Sequence, residues 1–187
     1  MHTNFDAETL YSPNAINAMT KMTYGLYQPQ ASGRIYLISI VLMLCGAIGM
    51  TNTSNALFVV LLLIGCWLYV SVDRVPKNMA KRIIASMNKS FPTMKFSFRQ
   101  DNILVTTPKE SGEVQYSILH RLAEDKRYFY LFSNARSAYV VDKLGFTHGT
   151  ADEFRTFIQE KLGITIERAP SIPKKLLAAM KRQQSEQ

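Results

Sequence analysis

The sequence predicts a membrane-embedded α-helical hairpin followed by a small α+β domain, and three observations carry that prediction. The 187-residue chain holds 22 Lys+Arg and 14 Asp+Glu, yet none of them falls between Arg34 and Asp73. Beyond that block the apolar period changes from about four residues to two, with turn-forming residues between the runs. The alternating region then closes on a capped amphipathic helix. A mean hydropathy of -0.04 excludes a polytopic membrane protein, while the uncharged block argues against a purely soluble one.

The net charge of +8 is unevenly placed. Residues 1–33 contribute one basic and two acidic groups, residues 34–74 two basic and one acidic, and the whole excess lies after residue 74. Such a bias suits the anionic cytoplasmic face of a membrane, and by charge alone it suits nucleic acid equally.

Ile35 to Met50 and Ala56 to Val72 are apolar on every helical face, separated by Thr51-Asn52-Thr53-Ser54-Asn55. A span needs about 20 residues to cross a ~30 Å core, so both segments are short but sufficient once they borrow neighbours such as Ser32, Gly33 or Thr51. A cleavable signal peptide is not expected, because the block starts late and lacks a basic region before it. Lys21 and Arg34 precede the first segment, none of the turn residues is basic, and Arg74, Lys77, Lys81, Arg82 and Lys89 follow the second. Positive-inside bias then puts both termini in the cytoplasm, with the turn outside. Trp67, Tyr69 and Tyr36 fall towards the cytoplasmic ends, and Gly46 and Gly49 offer a small face for helix packing. Cys45 and Cys66 sit at unequal depths in such a hairpin and read as small apolar packing residues, with no zinc spacing or disulfide framework.

Residues 1–34 read as a polar leader with a helix starting at Ser12-Pro13 and lying along the cytoplasmic face. After the apolar block (35–72), residues 73–92 read as a basic amphipathic helix. Met79, Ala80, Ile83, Ile84, Met87 and Phe91 line one side, Lys77, Lys81, Arg82 and Lys89 the other, and Pro92 ends it.

Residues 93–163 form the alternating domain. Met94, Phe96 and Phe98 alternate with polar neighbours, and Gln100-Asp101-Asn102 turns the chain into Ile103–Thr107. A long strand from Val114 to Leu122 has room for a split at Ser117. Glu124-Asp125-Lys126 turns into Tyr128–Phe132, Ser133–Arg136 turns again, and Ala138–Val141 is the last clear strand, giving five antiparallel strands. Thr150 and Glu153 make a capping box; Phe154, Phe157, Ile158 and Leu162 form one apolar face, and Gly163 stops the helix. A terminal helix covering a small antiparallel sheet is the layout of a pleckstrin-homology-like barrel. Residues 164–187 read as a basic tail.

The stretch from Tyr116 to Leu162 resembles the C-terminal domain of YcxB-like bacterial proteins. The likeness centres on Val140-Val141-Asp142-Lys143-Leu144-Gly145-Phe146, then Asp152-Glu153-Phe154 and Phe157. In that family an aliphatic-Pro-Lys-x-x-Phe strand end precedes an acidic-Phe helix, and here Asp142 stands where the proline is usual. With two helices ahead of the domain, the resemblance extends over residues 30–163. It implies a pleckstrin-homology-like fold on the cytoplasmic face of a bacterial inner membrane, and no established chemistry.

The search for chemistry finds little. His2, His120 and His148 have no metal-site spacing, and His120 falls on the apolar side of its strand as a core or edge residue. Nucleotide and nucleophile-elbow motifs are missing. Glu124-Asp125 and Asp152-Glu153 lie at a turn and a helix start, where solvation or capping explains them. Lys126-Arg127-Tyr128-Phe129-Tyr130 could stack bases, but a small sheet needs its aromatics for the core, so nucleic acid is not an expected partner.

The expected activity is non-catalytic, without cofactor or metal: an inner-membrane adaptor presenting its domain to a protein partner. Two alternatives stand beside it. One is recognition of anionic lipid headgroups by Arg74, Lys77, Lys81, Arg82, Lys89, Lys174, Lys175, Lys181 and Arg182. The other is a membrane immunity-type protein or an accessory subunit of an enzyme.

Overall fold

A computed structural model describes residues 5–52, 55–72, 74–87, 91–170 and 172–173. Among them the chain forms five α-helices and nine strands, an α+β architecture. It divides into two compact units, residues 1–23 with 80–169 and residues 24–79 with 170–187.

The first unit is built on two sheets. Strand β1 (Phe5–Leu10) pairs antiparallel with β2 (Thr93–Phe98), which pairs with β3 (Asn102–Thr106), which pairs with β4 (Ser111–Gln115). On its other side β1 meets β8 (Phe146–His148), giving the order β4-β3-β2-β1-β8. The second sheet places β7 (Ser137–Asp142), β6 (Tyr128–Asn134) and β5 (Arg121–Glu124) as a meander, with β9 (Glu167–Arg168) parallel to β5. Helix α5 (Ala151–Leu162) follows β8.

On β2 and β3 the phase of the alternation decides which side chains enter the core, whereas β6 is buried on both faces over Tyr128–Phe132. Phe96 and Phe98 on β2 and Ile103 on β3 are buried, as are Leu131, Phe132, Val140 and Val141. Phe154 of α5 is fully buried, and its ring lies 4.5 Å from Phe98, 5.1 Å from Phe146, 5.3 Å from Phe129 and 5.6 Å from Phe5. One aromatic residue thus joins both sheets to the helix. The helix itself starts as the sequence predicts: Thr150 accepts from the Glu153 N–H while the Glu153 carboxylate accepts from the Thr150 N–H at 3.0 Å. It stops at Gly163, whose φ of 63° is a left-handed conformation that a Cβ disfavours.

Three features depart from the sequence reading. Residues 5–10, read as part of a polar leader, form an interior strand of the first sheet between β2 and β8; Asp6, Glu8 and the polar Thr9 mask an alternation in which Phe5, Ala7 and Thr9 face inward. The strand count rises beyond five, because Phe146–His148 and Glu167–Arg168 also pair. The short β9 is pinned by Glu167, whose carboxylate accepts two bonds from Arg121 at 2.6 and 2.8 Å. The long strand is split at Ser117, where the sequence left room for it, by a 3-10 turn over Tyr116–Ile118, and His120 is exposed rather than on an apolar face.

In the second unit, α2 (Pro29–Asn52) and α3 (Ala56–Ser71) pack against each other. Residues 29–51 are long and apolar enough to cross a membrane, at about 34 Å for 23 residues. Helix α3 has 16 residues, about 24 Å, and passes the same test only together with α4 (Arg74–Ser86), from which it is bent by 41°. Glycines set the closeness of the helix pair. A Cβ at Gly46 would lie 2.8 Å from Leu62 Cβ and from the Phe58 carbonyl, and one at Gly65 2.9 Å from the Ser39 carbonyl. At Gly49 the Phe58 ring occupies the space. Asn55 caps α3 by accepting from the Leu57 N–H at 3.1 Å. Outward, Ile38, Val41, Leu44 and Ile48 on α2 and Leu57, Val60, Leu63, Trp67 and Val70 on α3 are exposed.

Candidate functional surfaces

The two surfaces with chemical character are the basic helix α4 and the end of the sheet domain that carries Val141–Phe146.

Helix α4 runs over residues 74–86, shorter than the sequence reading, whose end at Pro92 lies past residues 88–90 outside the described set. At about 100° per residue, Arg74, Lys77, Lys81 and Arg82 fall within an arc of roughly 140°, while Pro76, Met79, Ala80 and Ile83 fall opposite and Ile84 lies at the border beside Lys77. All four cations are exposed, and none forms an ion pair among the described residues. Arg74 lies 5.4 Å from the Trp67 ring. Pro76 and Ala80 are buried, Ile83 and Ile84 half-buried, and Met79 is exposed. Structure and sequence therefore agree on one basic face. Lys89, Lys174, Lys175, Lys181 and Arg182 lie outside the described residues.

At the sheet end, the motif residues do structural work. Lys143 Nζ is 2.8 Å from Glu124 Oε2, donates to the Asp125 carbonyl at 2.5 Å and sits 4.6 Å from the Phe129 ring. Arg155 of α5 donates to the same Glu124 oxygen at 3.0 Å and reaches Asp152, and Arg168 of β9 approaches Glu124 at 3.6 Å. Glu124 is only 6% exposed, which corrects its reading as a solvated turn acid. Burial alone would raise its pKa, but the hydrogen bonds and charges of Lys143 and Arg155 outweigh it and hold the carboxyl below its ordinary value. Asp125 is the true turn residue. Its Oδ1 accepts from the N–H groups of Arg127 and Tyr128, and its Oδ2 accepts from the buried Tyr130 hydroxyl at 2.6 Å. That bond and, above all, burial push the Tyr130 phenol up.

Asp142, which replaces the usual proline, has a use for the N–H that proline lacks. It donates to Thr9 Oγ1 of β1 at 2.8 Å, and two residues earlier the Val140 N–H donates to Tyr11 Oη at 2.9 Å. Alternate N–H groups along the open edge of β7 are thus satisfied by side chains of the N-terminal segment, which joins the two sheets where no backbone ladder does. Tyr11 is buried, which pushes its phenol up to about 12. Sequence reasoning missed this latch because a Thr and a Tyr in a polar leader carry no periodic signal.

Residues 98–158 match the model of the YcxB-like protein family. The chain is similar to YcxB-like proteins from the end of β2 to the third turn of α5, a shorter stretch than the resemblance drawn from the sequence. The YcxB-like segment contains the Lys143–Glu124–Arg155 network and the Phe146–Phe154 contact, and the latch ties it to β1, which the match does not include. No curated protein and no solved structure matches the chain.

A shallow hollow of about 270 Å³ lies on the outer face of the first sheet among Asp6, Glu8, Lys95, Ser97, Leu104, Thr106 and Thr147, with Glu8 and Lys95 paired at 2.7 Å. Among the described residues no three His, Cys, Asp or Glu side chains group as metal ligands.

Proposed function

We propose that the protein is a two-pass membrane adaptor that carries a pleckstrin-homology-like domain on the cytoplasmic side and presents it to a protein partner. The observation that carries this reading is where the helices are inserted. β1 and β2 are antiparallel neighbours with Leu10 opposite Thr93, and the Tyr11 N–H donates to the Pro92 carbonyl at 3.1 Å. Everything between them, residues 11–92, leaves and returns at one point on one sheet. A chain that leaves and returns on the same side of a membrane crosses it an even number of times. If α2 spans, α3 recrosses. Its shortfall in length is of a size that local thinning and interfacial anchoring accommodate, and Trp67 beside Arg74 supplies such an anchor. The exposed apolar stripes of α2 and α3 support lipid as their solvent.

The pleckstrin-homology-like reading rests on strand order. Four strands in the order β4-β3-β2-β1, three in the order β7-β6-β5, and a C-terminal helix whose Phe154 bridges both sheets make a sandwich sealed at one end. Affinity capture of the full chain in detergent tests the adaptor function. A partner retained in stoichiometric amount is expected; turnover of a substrate by the purified chain, abolished by one polar substitution that leaves the fold intact, would contradict it.

A second reading, recognition of anionic lipid by α4, is favoured by the arc of Arg74, Lys77, Lys81 and Arg82, which forms no ion pair among the described residues. It is tested with the full chain in mixed-lipid nanodiscs. Enrichment of phosphatidylglycerol around the protein should fall with added salt and in Lys77→Gln/Lys81→Gln; an unchanged lipid shell rejects this reading.

A further inference from the structure

The turn between β7 and β8 is tipped by Leu144, which at 83% exposure is the most exposed of the large apolar side chains described. Nothing local calls for a leucine there. The turn is already fixed by Asp142 Oδ1, which accepts from the Leu144 N–H at 3.0 Å, and by Gly145, where a Cβ would lie 1.9 Å from the Glu8 carbonyl. Gly145 and Glu8 also share a backbone bond of 2.8 Å, so the tip stands beside the C-terminal end of β1. Leu10, the last residue of β1, is 53% exposed. Two exposed leucines therefore mark the end of the sheet domain from which the chain runs into its apolar helices. Residues 11–28, which carry helix α1 (Pro13–Tyr27), connect Leu10 to the first residue of α2.

Charge at this end does not oppose an anionic surface. Glu8 pairs with Lys95, Asp142 with Arg127, and Glu124 with Lys143 and Arg155, while the Asp125 carboxylate is engaged by three donors. Lys126, at the tip of the adjacent β5–β6 turn, is exposed and makes no ion pair among the described residues; the Lys143 N–H donates to the Arg127 carbonyl at 2.8 Å, which holds the two turns side by side.

We propose that Leu144, with Leu10 beside it and Lys126 at headgroup level, dips into the interfacial layer of the anionic membrane that holds the helical anchor, making the β7–β8 turn a second lipid contact. An exposed leucine gains apolar burial there, and a lysine near the surface gains attraction to anionic headgroups. The inference rests on the membrane-anchor reading, and its test separates the two. The full chain with Cys45 and Cys66 replaced by alanine is labelled with an environment-sensitive fluorophore at Leu144→Cys or, separately, at Ile38→Cys on α2. It is then reconstituted into vesicles of phosphatidylcholine with or without phosphatidylglycerol.

The Leu144 label should shift to the blue and be shielded from a water-soluble quencher in the phosphatidylglycerol vesicles. Lys126→Gln should weaken that preference about fivefold, one lysine's share. A Leu144 label that stays in water while the Ile38 label is buried in lipid overturns the inference and leaves the anchor standing; water at both sites overturns both. Shielding that occurs only in native membranes and is lost in vesicles of pure lipid assigns the tip to a protein partner and also overturns it. Because Leu144 is exposed, the substitution leaves the core untouched.

Discussion

The sheet domain and the helical hairpin of one chain are held together by opposite uses of side-chain volume. In the sheet domain large rings meet, with Phe154 contacting four other strands' aromatics. In the hairpin side chains are removed at the contact, and Gly46, Gly49 and Gly65 let α2 and α3 approach closely. On the membrane-anchor reading proposed above, the difference follows from the solvent each part is built for. Water drives large apolar groups inward, whereas lipid gives apolar residues no reason to leave it, so helix association rests on close packing.

The largest effect should come from emptying the aromatic hub. Phe154→Ala is expected to cost about 3–5 kcal/mol, read as a fall in the unfolding midpoint of the sheet domain in detergent. A midpoint close to wild type would mean that the hub does not join the sheets. The opposite operation breaks the hairpin: Gly46→Leu or Gly65→Leu should cost about 1–3 kcal/mol through overpacking and leave the sheet domain's midpoint unchanged. Limited proteolysis between α2 and α3 reads the first effect, and the domain's near-ultraviolet circular dichroism reads the second.

Glu124 sharpens the comparison from the polar side. Removing a buried carboxylate that holds Lys143 and Arg155 should cost about 3–5 kcal/mol in Glu124→Leu. Because its pKa is held below the ordinary value of 4.5, its contribution is full above that pH and is lost as pH falls through the depressed value. Wild-type midpoints should therefore drop on acidification below about pH 4.5, and the Glu124→Gln variant should show a flatter profile in that window.

The latch gives smaller effects. Tyr11→Phe leaves the Val140 N–H without its acceptor and should cost about 1–3 kcal/mol. Asp142→Pro removes the N–H that donates to Thr9 Oγ1. Combined with Thr9→Val it should cost less than the two single changes summed, by about 1 kcal/mol; strict additivity would show that the Thr9–Asp142 bond does not couple the strands.

Legibility in the sequence follows the same division. The hairpin and α5 were readable because an uncharged run, a capping box and a terminating glycine are local signals, each complete within a few residues. β2 was readable through alternation, and β3, β6 and β7 as short apolar runs bounded by turn residues. β1 was not, because Asp6, Glu8 and Thr9 make it look polar, and its partners lie more than 80 residues away. β9 has two residues and depends on Arg121 for its place. The motif was visible as Lys143 and Phe146, but their roles were not, since Glu124 and Phe154 meet them only in the fold. The basic face of α4 was legible from spacing alone, whereas Leu144 drew no notice because a single leucine in a turn has no periodicity.

In the proposed topology the hairpin is an insertion between two paired strands, and the chain crosses the membrane twice. Single cysteines at Asn55 and at Ser111, in a chain whose Cys45 and Cys66 are replaced by alanine, test it with a membrane-impermeant maleimide on intact cells and on inverted vesicles. Residue 55 should be labelled only in intact cells and residue 111 only in inverted vesicles. Labelling of both residues from the same side would contradict it.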